Sequence, residues 1–219
     1  MNKKLAEFLG ICLGDGTMTR YFIRISGDKR YDRKYFEHIA KIVHELFGIE
    51  SSIYEETGNS LRNTFYIQIC SRRLCGYLNA SFRLSLGKKR KTIEIPPEII
   101  GKREIEKSFL RGLVDTDGTI SRRGNQFTVQ FISDYPSFLK AVYQIGTRMG
   151  VFTYLNGDEA GTNSWPRVVK YFKEIGSSHP KHIIRFKERY FHGRLIYLKE
   201  VGKLQEKSEY KNLTLPYRL

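Results

Sequence analysis

The chain spells one pattern twice. ICLGDGT at 11–17 returns as LVDTDGT at 113–119, and a shift of 102 residues sets Asp15 on Asp117, Gly16 on Gly118, Thr17 on Thr119 and Gly10 on Gly112. Ala6 falls on Ser108, small for small. A period of this length in 219 residues predicts two equivalent halves that either stand apart or share one core.

The segments after each motif correspond as well. RYFIRIS (20–26) and NQFTVQFIS (125–133) alternate as half-buried strands do. YDRKYFEHIAKIVHELFGI (31–49) and YPSFLKAVYQIGTRMGV (135–151) carry a helical period. SSIYEE and TFYIQICS supply two further strands in the first half, VFTYLNG and a short stretch near Ser164 two in the second. RRLCGYLNASF and PRVVKYFKEIG close the halves as helices. Each half therefore reads helix, two strands, helix, two strands, helix: an α+β fold of two pseudo-symmetric αββαββα repeats. The expected organisation is a first repeat over 1–86, a basic proline-bearing linker over 87–104, a second repeat over 105–182 and a basic extension over 183–219 without counterpart in the first half.

Charge narrows the partner. Lys and Arg number 38 against 23 acids, a net charge of +15, which points to a polyanion, nucleic acid before an anionic membrane. No apolar run approaches the ~18 residues of a membrane span. Lys3 and Lys4 precede an apolar run like that of a signal peptide, but Asp15 and Gly16 cut it short, so the chain is read as intracellular, cytoplasmic or nucleoid-associated. Cys12, Cys70 and Cys75 lack zinc spacing, and His179 with His182 makes a weak metal pair. Cationic and amide side chains lie in or beside the strand candidates: Arg20, Arg24, Gln68, Arg72, Arg122, Arg123 and Gln130. Arg and Gln read guanine and adenine edges in the DNA major groove, although solvated strand faces carry such residues too.

Two aspartates remain to be explained. A carboxylate at a helix C-terminus meets partial negative charge, and two facing carboxylates repel. The glycine beside each fits an ordinary helix end needing positive φ; the aspartates do not. Small residues four apart, Ala6/Gly10 and Ser108/Gly112, let the two helices pack closely and bring Asp15 and Asp117 together. A hard divalent cation relieves both penalties, with the Gly14 and Thr116 carbonyls as further ligands, and Mg²⁺ suits such a set. Over a phosphodiester it would activate water and neutralise charge, so no Ser, Cys or His nucleophile is needed. Asp115, whose counterpart is Leu13, is expected to point elsewhere and to cap or pack.

LAEFLGICLGDGT and FLRGLVDTDGT, with the αββαββα order after each and IGSSHP near the end, resemble the two motifs of a single-chain LAGLIDADG homing endonuclease. The resemblance covers roughly 1–182. It implies a saddle whose motif helices form the interface and whose two antiparallel sheets lie along the DNA major groove. It also implies that Asp15 and Asp117 bind metal, Mg²⁺ with Mn²⁺ as a substitute and Ca²⁺ supporting binding without cleavage. Members place Lys, Arg or Gln near the metals; Gln130, Arg24 and Arg72 or Arg73 are the matching candidates, Arg72 and Gln130 being the catalytic choices. No lysine stands where the family often has one. The leading expectation is a monomeric, intron-encoded or free-standing, metal-dependent endonuclease cutting double-stranded DNA at a long asymmetric site. Splicing-type Cys/Ser and His-Asn terminal signals are lacking, which argues against an intein core. The alternative is an RNA-splicing maturase, with intron RNA as partner, or a DNA-binding regulator that has lost cleavage. A generic RNA-binding module is disfavoured, since neither an RRM-like aromatic signature nor a GXXG loop is present.

Overall fold

The computed structural model describes residues 1–55, 64–87 and 93–219. Residues 88–92 of the expected linker lie outside them. Helix α1 (Lys3–Leu13) starts at Asn2, whose side chain accepts from the Leu5 amide, and is buried continuously from Leu5 to Cys12. Helix α4 (Arg103–Thr116) is buried from Glu106 to Asp115. A helix buried on every side is central to its fold, and these two pack against each other. Gly10 and Gly112 make the approach possible. A Cβ on Gly10 would lie 2.3 Å from the Phe109 carbonyl oxygen, and one on Gly112 2.1 Å from that of Glu7.

Around this pair each half builds one sheet. After α1 come β1 (Gly16–Met18), β2 (Phe22–Asp28), α2 (Arg33–Phe47), β3 (Ser52–Glu55), β4 (Thr64–Cys70) and α3 (Arg72–Phe82). After α4 come β5 (Gly118–Arg123), β6 (Gln126–Ile132), α5 (Pro136–Arg148), β7 (Tyr154–Asn156), β8 (Glu159–Thr162) and α6 (Trp165–Glu174). Both sheets are antiparallel with the same strand order, β1-β2-β4-β3 and β5-β6-β8-β7. This is the α+β architecture with two equivalent sheets that the repeat predicts. Strand alternation sends Ile23, Ile25, Phe65, Ile67 and Ile69 inward from the first sheet, and Ile120, Phe127, Val129 and Phe131 from the second. With the faces of α1 and α4 they form one continuous core across both halves.

The C-terminal segment is part of the fold. Helix α7 (Pro180–His192) runs through the junction expected at 182–183, followed by α8 (Leu198–Gln205) and α9 (Ser208–Lys211). Ile184, Ile196, Val201, Leu204 and Tyr210 make a second apolar cluster with Tyr31, which lies between β2 and α2. Gln205 Nε2 donates to the Tyr31 carbonyl at 3.1 Å. The segment therefore ties the first half to the second. It also helps close a sheet edge: on β5 the Ile120 carbonyl accepts from Arg185 Nη1 at 3.2 Å, while the equivalent Met18 carbonyl on β1 accepts from the Gly87 amide at 2.7 Å.

Candidate functional site

The two motif ends abut. A Cβ on Gly14 would meet Thr116 Oγ1 at 2.1 Å and the Asp117 amide nitrogen at 3.4 Å, so the chain leaving α1 rests directly on the end of α4. Asp15 and Asp117 are both solvent-exposed, each at the turn from buried helix to strand. The glycine after each serves a different purpose from the helix-end reading. Neither Gly16 nor Gly118 has positive φ. A Cβ on Gly16 would sit 2.4 Å from the Cys12 carbonyl oxygen and one on Gly118 2.5 Å from that of Val114, so glycine lets the strand fold straight back over its own helix.

The donors gathered here are carboxylates and helix-end carbonyls. The Thr116 hydroxyl donates back to the Gly112 and Leu113 carbonyls, leaving the Thr116 carbonyl beyond the helix end. Among the described residues no group of three or more His, Cys, Asp or Glu side chains could hold a metal. Two carboxylates and two carbonyls would fill only part of a hard divalent cation's shell and leave positions for water and phosphate.

Beneath the acids lies a buried polar network. Glu7 of α1 pairs with Arg111 of α4, stands 3.1 Å from His38 Nε2 and accepts from Ser178 Oγ at 2.6 Å. Burial alone would raise the Glu7 carboxyl, but the His38 contact and the Arg111 guanidinium outweigh it and hold it at about 2. Asp115 packs as its odd place in the motif predicts. It is fully buried and accepts from Ser177 Oγ at 2.5 Å and the Ser178 amide at 2.6 Å, binding the GSSHP turn to the second motif helix. Burial pushes its carboxyl up to about 6 against those hydrogen bonds.

The two histidines of HPKH do not converge on one ligand. His182 Nδ1 stands 3.3 Å from Asp115, whereas His179 Nε2 stands 3.0 Å from Asp32 and its Nδ1 accepts from the Lys181 amide. Both rings are buried, and burial keeps them neutral, His179 down to about 3. Asp32, raised by burial, is pulled well below the usual carboxylate range by His179 and Lys181.

On the outward side of the first sheet, Arg24 lies over the Tyr66 ring at 4.0 Å and donates to Gln68 Oε1 at 2.9 Å; Tyr66 stacks on Tyr54. The strand register places Arg24 two residues beyond Ser26, which is opposite Asp15, and places Gln130 two residues beyond Ile132, which is opposite Asp117. Arg24 and Gln130 are thus equivalent positions, Gln68 being matched by Gly161. Gln130 is buried, with Oε1 unpartnered. Arg20 is exposed in the β1–β2 turn, and Arg123 pairs with Glu159 at 2.7 Å.

Three candidates fall elsewhere. Arg72 and Arg73 open α3, six and seven residues past Tyr66, which marks the level of Asp15 on β4. At ~3.3 Å per residue that is roughly 20 Å of strand, so Arg72 stands at the far end of the sheet from the acids. Arg122 pairs with Phe127, on the face of Ile120, and lies over the Tyr197 ring at 4.7 Å. Two cations that the sequence did not single out, Lys181 at the end of the second repeat and Arg185 in the extension, are brought beside β5 by α7.

Residues 104–191 match the LAGLIDADG-like domain. Solved structures with this fold include I-DmoI in complex with DNA and Ca (TM-score 0.56, 15% identity, 81% of this chain and 91% of that one). The complex of I-DmoI with DNA and Mn is similar (0.54, 16% identity, 81% and 98%). Full-length DUF199/WhiA from Thermatoga maritima shares the fold over 95% of this chain and 67% of its own (0.55, 13% identity). Among curated proteins, an A-type ATP synthase subunit of Pyrococcus abyssi is 23% identical over 170 residues. The match spans 77% of this chain and only 16% of that relative's length. The family model thus covers the second repeat, and the likeness to I-DmoI shows the same fold across both halves.

Proposed function

We propose that the chain is a sequence-specific, divalent-metal-dependent endonuclease of double-stranded DNA. The observation that carries this reading is the pair of exposed aspartates at two abutting helix ends, each followed by a strand whose sheet turns polar side chains outward. A purely structural helix end gains nothing from such an acid.

In this reading Asp15, Asp117 and the Gly14 and Thr116 carbonyls hold Mg²⁺, with Mn²⁺ able to replace it. The bound cation supplies water activation and charge neutralisation at the phosphate. The chain's own residues supply position. Asp15 and Asp117 are fixed by helices whose backbones touch, so two reacting phosphates are held at a set separation. Arg24, steadied by Tyr66 and Gln68, reads a base edge or grips the backbone beside one acid; Gln130 stands in the equivalent place beside the other. Arg20 and Arg123 contact DNA further out, and Arg72 and Arg73 reach it from the far end of the first sheet. The protein acts as an intracellular monomer. A second reading, a DNA-binding regulator of the same fold without cleavage, is favoured by the likeness to DUF199/WhiA over nearly the whole chain.

The test is a selection on randomised duplex DNA in Ca²⁺, followed by Mg²⁺ and sequencing of the ends. Defined double-strand cuts that vanish in Asp15→Asn and Asp117→Asn, with binding retained, are expected. Full cutting by either variant refutes the metal assignment; specific binding without cutting supports the regulator.

A further inference from the structure

Helix α7 opens a cleft of about 300 Å³ between the β2–α2 turn and the start of β5. Gly118, Thr119 and Ser121 form one wall, and Lys181 and Arg185 reach it from α7. Gly118 directly follows Asp117. Lys181 also lines a narrower cleft with Asp15 and Thr116. One lysine therefore lines two adjoining clefts that between them touch both motif ends.

The charges in this place are incompletely matched. Arg185 is only 9% exposed, spends Nη1 on the Ile120 carbonyl and leaves its Nε buried without a partner. A buried guanidinium donor left unpaired is costly unless a ligand meets it. Lys181 Nζ is 3.8 Å from Asp32, beyond hydrogen-bond distance, and Asp32 already has His179 at 3.0 Å. Asp28, the other carboxylate of the cleft, is held by the Arg30 guanidinium at 2.6 Å. The amides of Lys181, His182 and Ile183 are all satisfied by His179, so an anion here must be gripped by side chains.

We propose that Lys181 and Arg185 hold a backbone phosphate of bound duplex DNA next to the one presented at Asp117, making Lys181 a positioning residue for the second motif's cut. This rests on the DNA-binding reading above. It gives a task to α7, which has no counterpart in the first half, and sets a cation beside the strand that leaves Asp117.

The experiment compares the full chain with Lys181→Met, Lys181→Gln and Lys181→Arg, binding randomised duplexes in Ca²⁺ between roughly 50 and 200 mM salt. Losing one phosphate contact should lower the slope of log affinity against log salt by about 0.9 for Met and Gln, a change of about 3.5-fold over that range, with Arg restoring it. Unfolding midpoints of all four should agree. An unchanged slope in both neutral variants, with the parent chain binding steeply, overturns this inference and leaves the DNA reading standing. No binding by the parent chain overturns both. Inorganic phosphate that raises the parent's unfolding midpoint but not the Met variant's, with equal salt slopes, would assign the cleft to a free anion and likewise overturn it.

Discussion

Glu7→Gln tests how the two halves are joined. Glu7 and Arg111 are both nearly excluded from solvent, and each comes from a different motif helix. A carboxyl held at about 2, against an ordinary 4.5, contributes about 3 kcal/mol. Because the folded value is depressed, that contribution is whole above pH 4.5 and lost as pH falls toward 2. The glutamine keeps the shape but leaves the Arg111 charge buried without its counterion, at a cost of ~3–5 kcal/mol near neutrality. Urea unfolding of the parent chain and the variant, repeated from neutral pH down into the acid range, gives the difference in stability as a function of pH. It should be largest at neutral pH and shrink by about 3 kcal/mol on acidification. Pairing Glu7→Gln with Arg111→Met should recover much of the loss, since a neutral pair leaves no buried charge. A difference that is small at neutral pH, or constant throughout, would refute the pairing as the tie between the helices.

Gly112→Ala should cost several kcal/mol in thermal or urea unfolding, because its methyl group would lie 2.1 Å from the Glu7 carbonyl and neither backbone can retreat; unchanged stability would contradict the close crossing. Below its raised value the Asp115 carboxyl already carries a proton, so Asp115→Asn, which likewise offers one acceptor and a donor to the Ser177 hydroxyl, should be close to neutral in acid. Burial raises the Asp115 carboxyl from 3.8 to about 6, so ionisation costs the parent chain stability as pH rises through that span. In urea unfolding the variant should match or exceed the parent near neutral pH; a deficit that grows toward neutral pH would refute this. Arg24→Met should weaken duplex binding and relax preference at one base position by about 1–3 kcal/mol if the guanidinium reads a base, which selection of the variant's own sites would reveal. A uniform loss across all sequences would reassign Arg24 to the backbone.

The repeat made most of the architecture legible because strand and helix periods recur after each aspartate and the small residues at 6, 10, 108 and 112 announce a close helix pair. Asp115 could be read as an outlier for the same reason: its counterpart is leucine. What stayed hidden depends on register and on long-range return of the chain. Arg122 and Arg123 look alike in sequence, yet alternation sends one to the helix side and the other outward. Arg72 is adjacent to a strand but lies at the wrong end of it. Lys181, at the end of the second repeat, and Arg185, in the extension, read as ordinary surface charges, because only the tertiary packing of α7 sets them beside β5. The glycines after the aspartates fit a familiar helix-end rule, and only the contact with Cys12 and Val114 shows the different cause.

Glu7 is synthesised well before its partners Arg111 and Ser178, which follow 104 and 171 positions later. At ~5–20 residues per second, α1 waits roughly 10–30 s for the serine that completes its buried network. Until α4 emerges, the first repeat exposes the apolar flank that α4 will cover. Its yield in a cell should therefore depend on holdase chaperones and translation speed, and truncation before the GSSHP turn should give insoluble product however well the first sheet is formed.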